Sequence, residues 1–167
     1  GNPPYGGRRN IDYGLDDLVT SSLPDIYAPC MERSFSILRD GGRLAMITPH
    51  SIMQSKHFAR LRSFIASIAD EIFCSSFARI PAGLFENNVR VRNTIMLARR
   101  SNTGCSHVNS SRCRRWYSSY RPHLMATIKY TPIEAKAPTW RFVDDPHVLM
   151  LFERLRTASG GMVENDL

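Results

Sequence analysis

The feature that most constrains the fold is a short apolar run, Arg43–Thr48 (RLAMIT), which is bounded by two glycines and a proline. A nearly continuous apolar run of this length predicts a strand buried on both faces of a parallel sheet. Residues 24–40 carry apolar side chains at helical spacing and end at the two glycines, which predicts a helix directly before the strand. Helix followed by buried strand is the second half of a βαβ unit, so the sequence predicts an α/β fold.

The order of these elements also predicts where a site lies. The first strand of the βαβ unit would end at Asn2. In sheets of this kind a ligand binds outside the carboxyl ends of the strands. We therefore expect Asn2–Tyr5 and Thr48–Ser51 to lie beside each other.

Three further elements are predicted before residue 100. Residues 56–69 carry an apolar stripe at helical spacing, and Asp70–Phe77 has the composition of a strand. A loop, Arg79–Asn88, then leads to a second strand, Val91–Ala98. Because the connection is short, we expect that strand to run antiparallel to its neighbour, as the last strand of the sheet.

The remainder of the chain predicts less regular structure. Ser101–Ser111 is polar and is interpreted as a linker, and Pro122–Lys129 has a helical apolar face. Residues 131–142 contain two prolines and are expected to be irregular, whereas Asp144–Thr157 is expected to be helical. Residues 101–167 are therefore interpreted as a connecting segment, 101–130, followed by a short α-rich extension.

The segment Asn2-Pro3-Pro4-Tyr5, near the start of the chain, has the properties needed to bind an amino group carried by a planar ring. Two prolines fix two φ angles and remove two N–H donors, so the segment is rigid and rich in acceptors. The Asn2 side-chain oxygen and the Pro3 carbonyl can accept hydrogen bonds from one exocyclic amino group. Tyr5 offers a ring face for stacking. The alternative is an ordinary Pro-Pro turn at the surface.

Charge is distributed unevenly along the chain. The net charge is +7, and nine Lys and Arg residues without any Asp or Glu lie between Asn87 and Ile133. A run with many positive charges and no negative ones suggests a polyanionic partner. The alternative is a solvated face whose acidic partners lie elsewhere in the fold.

Composition excludes several other classes of protein. No apolar run approaches the ~20 residues that span a membrane, and no signal peptide is recognisable, so a cytoplasmic protein is expected. The four cysteines show no Cys-x-x-Cys spacing and are interpreted as reduced packing residues, so no metal site is expected.

Longer segments carry a resemblance to a known family. After Asn-Pro-Pro-Tyr come a polar loop, the helix DIYAPCMERSFSILRD and then GGRLAMITPHSIMQSKHFARLRSFI; further on stand IPAGLFENNVRVRNTIMLARR and RWYSSYRPHLMATIKY. In this order they resemble the downstream half of the catalytic domain of adenine-N6 DNA methyltransferases from restriction–modification systems. The resemblance runs from Gly1 to about Tyr130. It implies a partial Rossmann-like domain over residues 1–100. Residues 131–167 lie beyond the resemblance and are interpreted as the start of a specificity or helical region.

The resemblance implies roles for individual residues. In the family, the Asn and first Pro of the motif accept hydrogen bonds from the adenine N6 group, which corresponds to Asn2 and the Pro3 carbonyl. The aromatic residue of the motif stacks on the flipped-out base, which corresponds to Tyr5. A second aromatic packs on the other side of the base, and Phe85 is the candidate; the alternative for Phe85 is a hydrophobic plug. Arg8 and Arg9 are candidates to meet a phosphate, or are solvated loop arginines.

The resemblance also implies a cofactor and partners. The family transfers a methyl group from S-adenosylmethionine, which it binds through a glycine-containing turn and an acidic residue upstream of the motif. Gly6-Gly7 and Gly41-Gly42 both lie downstream of the motif and not upstream of it, so most of that cofactor site is expected to be missing here. We therefore interpret the chain as a fragment that is inactive alone. Its expected partners are double-stranded DNA and the N-terminal half and specificity domain of a longer polypeptide; an exposed sheet edge would also favour dimers of the fragment.

Two other functions fit part of the sequence. The same motif serves methyltransferases that act on RNA or on a protein glutamine. A non-catalytic nucleic-acid-binding module is the other alternative, in which arginines contact phosphates and aromatic residues stack on bases. Its candidate residues, which are also candidates for DNA contacts of the methyltransferase, are Arg112, Arg114, Arg115, Trp116, Tyr117 and Arg121. For Trp116 the further alternative is packing between the catalytic half and a following domain.

Overall fold

The fold is an α/β arrangement around one five-stranded sheet. It is seen in a computed structural model that describes residues 1–7, 14–85 and 91–158. The helices are α1 (Tyr27–Ser36), α2 (Ser51–Gln54), α3 (Ala59–Ile68) and α4 (Pro146–Ala158), and the strands are β1 (Arg43–Pro49), β2 (Ala69–Phe77), β3 (Asn93–Arg100), β4 (His107–Arg114) and β5 (Thr131–Glu134). Short 3₁₀ turns occupy Lys56–Phe58, Ser118–His123 and Met125–Thr127.

The sheet brings the ends of three strands to one edge. Its strand order is β1-β3-β2-β4-β5. Strand β3 pairs antiparallel with both β1 and β2, β2 pairs parallel with β4, and β5 pairs antiparallel with β4. Strands β1, β2 and β4 therefore point the same way, and we call the side of the sheet where they end the carboxyl edge. The antiparallel strand predicted from Val91–Ala98 is β3, but it is not the last strand, because β4 and β5 follow it.

Two predictions downstream of residue 100 are wrong. The polar linker Ser101–Ser111 contains the start of β4, and the irregular segment 131–142 contains β5. The small hydroxyl residues of β4 are buried because their polar atoms are paired. Ser110 Oγ donates to the Arg141 carbonyl at 2.6 Å, and Ser111 Oγ accepts the Ser76 N–H at 3.1 Å.

The helices differ from expectation mainly where proline intervenes. Helix α1 begins at Tyr27, so Pro29 falls in its first turn, where a missing N–H costs no helix bond. The predicted helix Pro122–Lys129 is wrong, because this part of the chain forms 3₁₀ turns, one of which includes Pro122. The helix predicted at Asp144–Thr157 is confirmed as α4.

The main core lies between one face of the sheet and helices α1 and α3. Side chains on successive strands line up across that face, with Met46 opposite Met96 and Cys74 opposite Met96. All three are buried, and Met31 and Phe35 of α1 belong to the same cluster. Burying such side chains contributes roughly 1.5–3 kcal/mol each, so this layer dominates the stability of the fold.

The other face of the sheet is covered at the carboxyl edge and open at the opposite end. Near the carboxyl edge, Phe77, Ala82, Trp116 and Leu124 form a second, smaller cluster. At the open end lies a cleft of about 250 Å³, which we call the open cleft; its lining residues are Arg43, Leu44, Ala45, Glu71, Phe73, Leu97, Ala98 and Arg99. Because the open cleft lies against β1, the prediction that β1 is buried on both faces is wrong, and Ala45 is exposed.

Strand β1 pairs with β3 on one side, and on the other side its backbone is bonded by Gly1 and by the Tyr5 hydroxyl. The Gly1 ammonium donates to the Ala45 carbonyl at 2.6 Å, and the Gly1 carbonyl accepts the Ile47 N–H at 3.0 Å. One residue bonding to positions two apart on its neighbour is the pattern of a parallel pair, with Gly1 opposite Met46. The segment that leads into Asn2–Tyr5 is therefore registered on β1.

Candidate functional site at the carboxyl edge of the sheet

The Asn2–Tyr5 segment lies at the carboxyl end of β1, where the sequence predicts it. Tyr5 Oη donates to the Ile47 carbonyl at 2.9 Å. The buried Asn93, the first residue of β3, donates from Nδ2 to Tyr5 Oη at 3.3 Å and to the Thr48 carbonyl at 3.5 Å. Tyr5 is therefore fixed by groups from two neighbouring strands.

Exposure alternates along the segment. Asn2 and Pro4 are exposed, Pro3 is buried and Tyr5 is half-buried. Within the described part of the chain the Asn2 side chain forms no hydrogen bond, so its amide oxygen can accept one from a bound molecule. The segment thus combines a fixed backbone with one polar side chain that faces solvent.

The environment of Tyr5 keeps its hydroxyl neutral. Partial burial raises the pKa of the Tyr5 phenol, and the hydrogen bond from Asn93 opposes that rise only in part. A neutral phenol that donates to a carbonyl serves as an anchor. Tyr5 can therefore offer its ring for stacking, whereas its hydroxyl does not serve as a base at neutral pH.

A row of buried hydroxyl residues supports the site from within the sheet. Thr48, Thr94 and Ser76 stand side by side on β1, β3 and β2, and none is accessible to solvent. Thr94 Oγ1 and Ser76 Oγ lie 2.8 Å apart, and Thr48 Oγ1 donates to the Thr94 carbonyl at 3.4 Å. Sequence reasoning missed this row and Asn93. The available signal was that polar residues replace apolar ones where the strands approach the carboxyl edge.

His50 follows β1 at the same edge. Its N–H donates to the Arg92 carbonyl at 2.9 Å, and its ring lies 5.3 Å from that of Phe142. Burial lowers the pKa of the His50 imidazole, and the positive charge of Arg92 lowers it further. The Nδ1 atom is buried without a hydrogen-bond partner among the residues described here. The imidazole of His50 is thus kept neutral at the carboxyl edge.

The loop that follows β2, Ala78–Phe85, also lies at the carboxyl edge. Ala78 N–H donates to the Arg114 carbonyl at 2.8 Å, and Ala82 N–H donates to the Trp116 carbonyl at 3.1 Å. Phe85 at the end of this loop is half-buried and is not a member of the second cluster. The residues that follow it, 86–90, lie outside the described residues, as do Arg8 and Arg9.

The six candidate nucleic-acid-binding residues have different environments. Trp116 is only 4% exposed and belongs to the second cluster, so its ring is not available for stacking on a base, and packing is its role in this structure. Tyr117 is 72% exposed. Arg112 pairs with Asp144 at 3.1 Å, and Arg114 donates to the Thr127 carbonyl.

Arg115 is exposed, and Arg121 binds the loop that follows β2, as described below. These residues do share one location, because β4 ends at the carboxyl edge with Arg114.

The described residues contain no group of three or more His, Cys, Asp or Glu that could hold a metal ion. The four cysteines are free, and burial raises the pKa of each thiol. Raised thiol pKa values go with inert packing cysteines. No helix in the described ranges is long and apolar enough to cross a membrane.

Comparisons with known proteins identify a matching family for the first part of the chain. Residues 1–77 match the model of the Eco57I restriction-modification methylase family. This match contains Asn2–Tyr5, β1 and β2. No curated protein shows a significant sequence match to the chain.

Solved structures match a larger share of the chain. A nuclease-deletion mutant of the Type ISP restriction-modification enzyme LlaGI, in complex with a DNA substrate mimic, matches 90% of this chain and 18% of its own, with a TM-score of 0.67 and 15% identity. The DrdV–DNA complex matches 83% and 17%, with a TM-score of 0.65 and 15% identity. A chain of a type I restriction–modification system matches 98% and 43%, with a TM-score of 0.63 and 14% identity.

The chain thus spans less than half the length of each of these three proteins. At such low identity the matches concern the fold. The chain has the fold of a part of these restriction–modification proteins, with Asn2–Tyr5 at the carboxyl edge of its sheet.

Proposed function

We propose that this chain is the catalytic-motif part of a DNA methyltransferase of a restriction–modification system, which methylates the N6 amino group of a flipped-out adenine. The observation that carries the proposal is the fixed Asn2–Tyr5 segment, with an exposed amide at one end and an anchored ring at the other. The family match over residues 1–77 and the fold shared with DNA-bound restriction–modification enzymes support it.

Asn2 and Pro3 hold the amino group in this proposal. The Asn2 amide oxygen and the Pro3 carbonyl each accept one N–H of the exocyclic amine, which turns the nitrogen lone pair away from the ring and toward an electrophile. Neither proline has an N–H that would compete for that nitrogen. The contribution of these acceptors is positioning, together with stabilisation of the positive charge that develops on nitrogen.

Tyr5 and Phe85 hold the ring of the base. An adenine amino group inside a duplex is inaccessible, so the base must rotate out, which costs a few kcal/mol. Stacking on Tyr5 offsets about 1–3 kcal/mol of that cost. Because Tyr5 Oη is bonded to Ile47 and Asn93, little ring motion remains to be lost on binding. Phe85 is proposed to pack on the opposite ring face.

DNA would reach the site along the carboxyl edge. The exposed Tyr117 and Arg115 follow β4 at this edge, and Arg112 and Arg114 precede them. We propose that they contact the nucleic acid beside the flipped base, with Arg8 and Arg9 as further phosphate contacts. Trp116 contributes to this surface by packing beneath it.

S-adenosylmethionine supplies the methyl group in the proposed reaction. The glycines Gly41 and Gly42 precede β1 and lie at the edge opposite Asn2–Tyr5. Gly41 and Gly42 are therefore not the glycine turn that would hold this cofactor beside the motif. We propose that most of the cofactor site, and a domain that recognises the DNA sequence, belong to other parts of a longer polypeptide.

Calorimetric titration of S-adenosylmethionine tests the proposal. We expect no binding to this chain, and binding plus adenine methylation by a polypeptide extended by ~150 residues upstream, the length of a typical domain. In the extended polypeptide, Asn2→Ala and Tyr5→Ala should each lower kcat at least a hundredfold. Methylation that survives Asn2→Ala would overturn the proposal.

A non-catalytic nucleic-acid-binding module is the second candidate, and the exposed Tyr117 beside several arginines favours it. It predicts salt-sensitive DNA affinity for the chain by itself, unaffected by Asn2→Ala or Tyr5→Ala. Replacing the DNA by RNA or by a glutamine-containing peptide in the methylation assay tests the remaining amino acceptors.

A further inference from the structure

We infer that Arg121 is a positioning residue, which holds the loop after β2 in place and so sets the position of Phe85. The guanidinium of Arg121 connects the segment that follows β4 to the loop that follows β2. Its Nη1 donates to the Leu84 carbonyl at 3.1 Å and its Nη2 donates to the Gly83 carbonyl at 3.3 Å. These carbonyls belong to the two residues that directly precede Phe85. The inference rests on the role proposed above for Phe85.

The guanidinium is itself held in orientation by Trp116. The Arg121 Cζ lies 4.9 Å from the centre of the Trp116 ring, a distance at which a cation is attracted to the ring face. Trp116 is buried with Phe77 and Ala82, so its ring is a fixed platform. A planar guanidinium on such a platform presents its N–H groups in one direction, toward the loop.

Arg121 supplies the hydrogen bonds at the end of the loop, where Leu84 also packs against the second cluster. Ala78 and Ala82 donate backbone hydrogen bonds to the Arg114 and Trp116 carbonyls, which fixes the first five residues of the loop. For Gly83 and Leu84, the carbonyls are bound by Arg121. Without the arginine, the end of the loop that carries Phe85 would lose both of these bonds.

A lysine substitution distinguishes this positioning role from a phosphate contact. A lysine keeps the positive charge but lacks the planar fork that binds two carbonyls and stacks on an aromatic ring. A phosphate contact at position 121 should therefore be largely restored in Arg121→Lys, whereas loop positioning should be lost in both Arg121→Lys and Arg121→Ala.

Backbone ¹⁵N relaxation in this chain tests the inference without reference to catalysis. In Arg121→Lys and Arg121→Ala, we expect the order parameters of Gly83, Leu84 and Phe85 to fall from about 0.85, as in a rigid backbone, to below about 0.6, while those within β2 and β3 stay unchanged. The control is Arg39→Ala, an exposed arginine before β1 at the opposite edge, which should change neither. Unchanged order parameters at 83–85 in both Arg121 variants would overturn the inference.

Kinetics of the extended polypeptide then test the consequence for the base pocket. We expect both Arg121 variants to lower kcat about tenfold, with the DNA dissociation constant within about twofold of wild type. Arg115→Ala should instead weaken DNA binding and reduce its salt dependence. If wild type methylates DNA and the loop loosens in Arg121→Lys without a change in kcat, the positioning role is refuted. If no form of the polypeptide methylates DNA, the relaxation result still decides whether Arg121 holds the loop.

Discussion

At the scale of single residues, the hydroxyl and the ring of Tyr5 have different roles. Its hydroxyl is bonded to the sheet through Ile47 and Asn93. Its ring is proposed to stack on the base that binds beside Asn2. The first function belongs to stability and the second to binding. The two can be separated experimentally, because phenylalanine keeps the ring and removes only the hydroxyl.

Tyr5→Phe should therefore destabilise the chain by about 1 kcal/mol, because the Ile47 carbonyl and the Asn93 amide lose a partner. Urea unfolding monitored by circular dichroism measures this change. In the extended polypeptide the same variant should keep most of its methylation rate. Tyr117→Phe, at an exposed position, is the matched control and should leave stability unchanged. A loss of methylation in Tyr5→Phe as large as that in Tyr5→Ala would show that the hydroxyl acts in the chemistry.

At the scale of elements, the sequence predicted strands and helices where apolar periodicity was strong. Strands β1, β2 and β3 and helices α3 and α4 were expected at nearly their observed bounds. Strand β4 was missed because Asn109, Ser110 and Ser111 read as linker residues. They are compatible with a strand because their side chains pair with the Ile72 carbonyl, the Arg141 carbonyl and the Ser76 N–H. Such long-range pairings leave no local signal in a sequence.

The same limit applies to the candidate site. The motif Asn2–Tyr5 and its place beside β1 were predictable, because a short motif and one crossover unit specify them. The contribution of Asn93 was not, since it depends on β3 lying between β1 and β2. The contact between Arg121 and the loop at Gly83 and Leu84 joins residues nearly 40 positions apart, and composition suggested a DNA contact there instead.

Arg62 joins three elements and should be the most sensitive arginine of the fold. It is 1% exposed, and its guanidinium donates to the carbonyls of Ile52, Ser55 and Pro138. Arg62→Leu should cost about 2–4 kcal/mol, because three carbonyls in a buried setting lose their donor. The measurement is the free energy of unfolding in urea. Arg60→Leu, on the exposed side of α3, is the control; equal effects of the two changes would contradict the role assigned to Arg62.

At the scale of the whole molecule, the open cleft presents apolar surface to solvent. Its floor is apolar, with Leu97 40% exposed and Ala45 exposed at the outer strand. An apolar face next to a strand edge with few partners favours association with other chains. The chain by itself is therefore expected to self-associate as its concentration rises.

Leu97→Lys should weaken that association, because it places a charge on the floor of the open cleft. Sedimentation equilibrium of the wild type and the variant measures the change, and we expect a dissociation constant at least tenfold higher for the variant. Ile37→Lys, at a position that is 79% exposed beyond the end of α1, serves as the control and should associate like the wild type. A wild-type chain that stays monomeric at every concentration would refute the expectation.

The bonds of Gly1 to β1 determine what kind of strand can complete this sheet. Gly1 lies opposite Met46, whose side chain faces α1 and α3, and side chains alternate between faces along a strand. In a strand that continues from Gly1 along β1, every second residue would face the helices and the others would face the side of the open cleft. Both sets of positions adjoin apolar surface. A strand that pairs with the outer side of β1 therefore needs apolar side chains on both of its faces, in addition to the register set by Gly1. A strand that is polar on one face could still form the backbone hydrogen bonds, but it would leave apolar surface on that face of the sheet exposed to water.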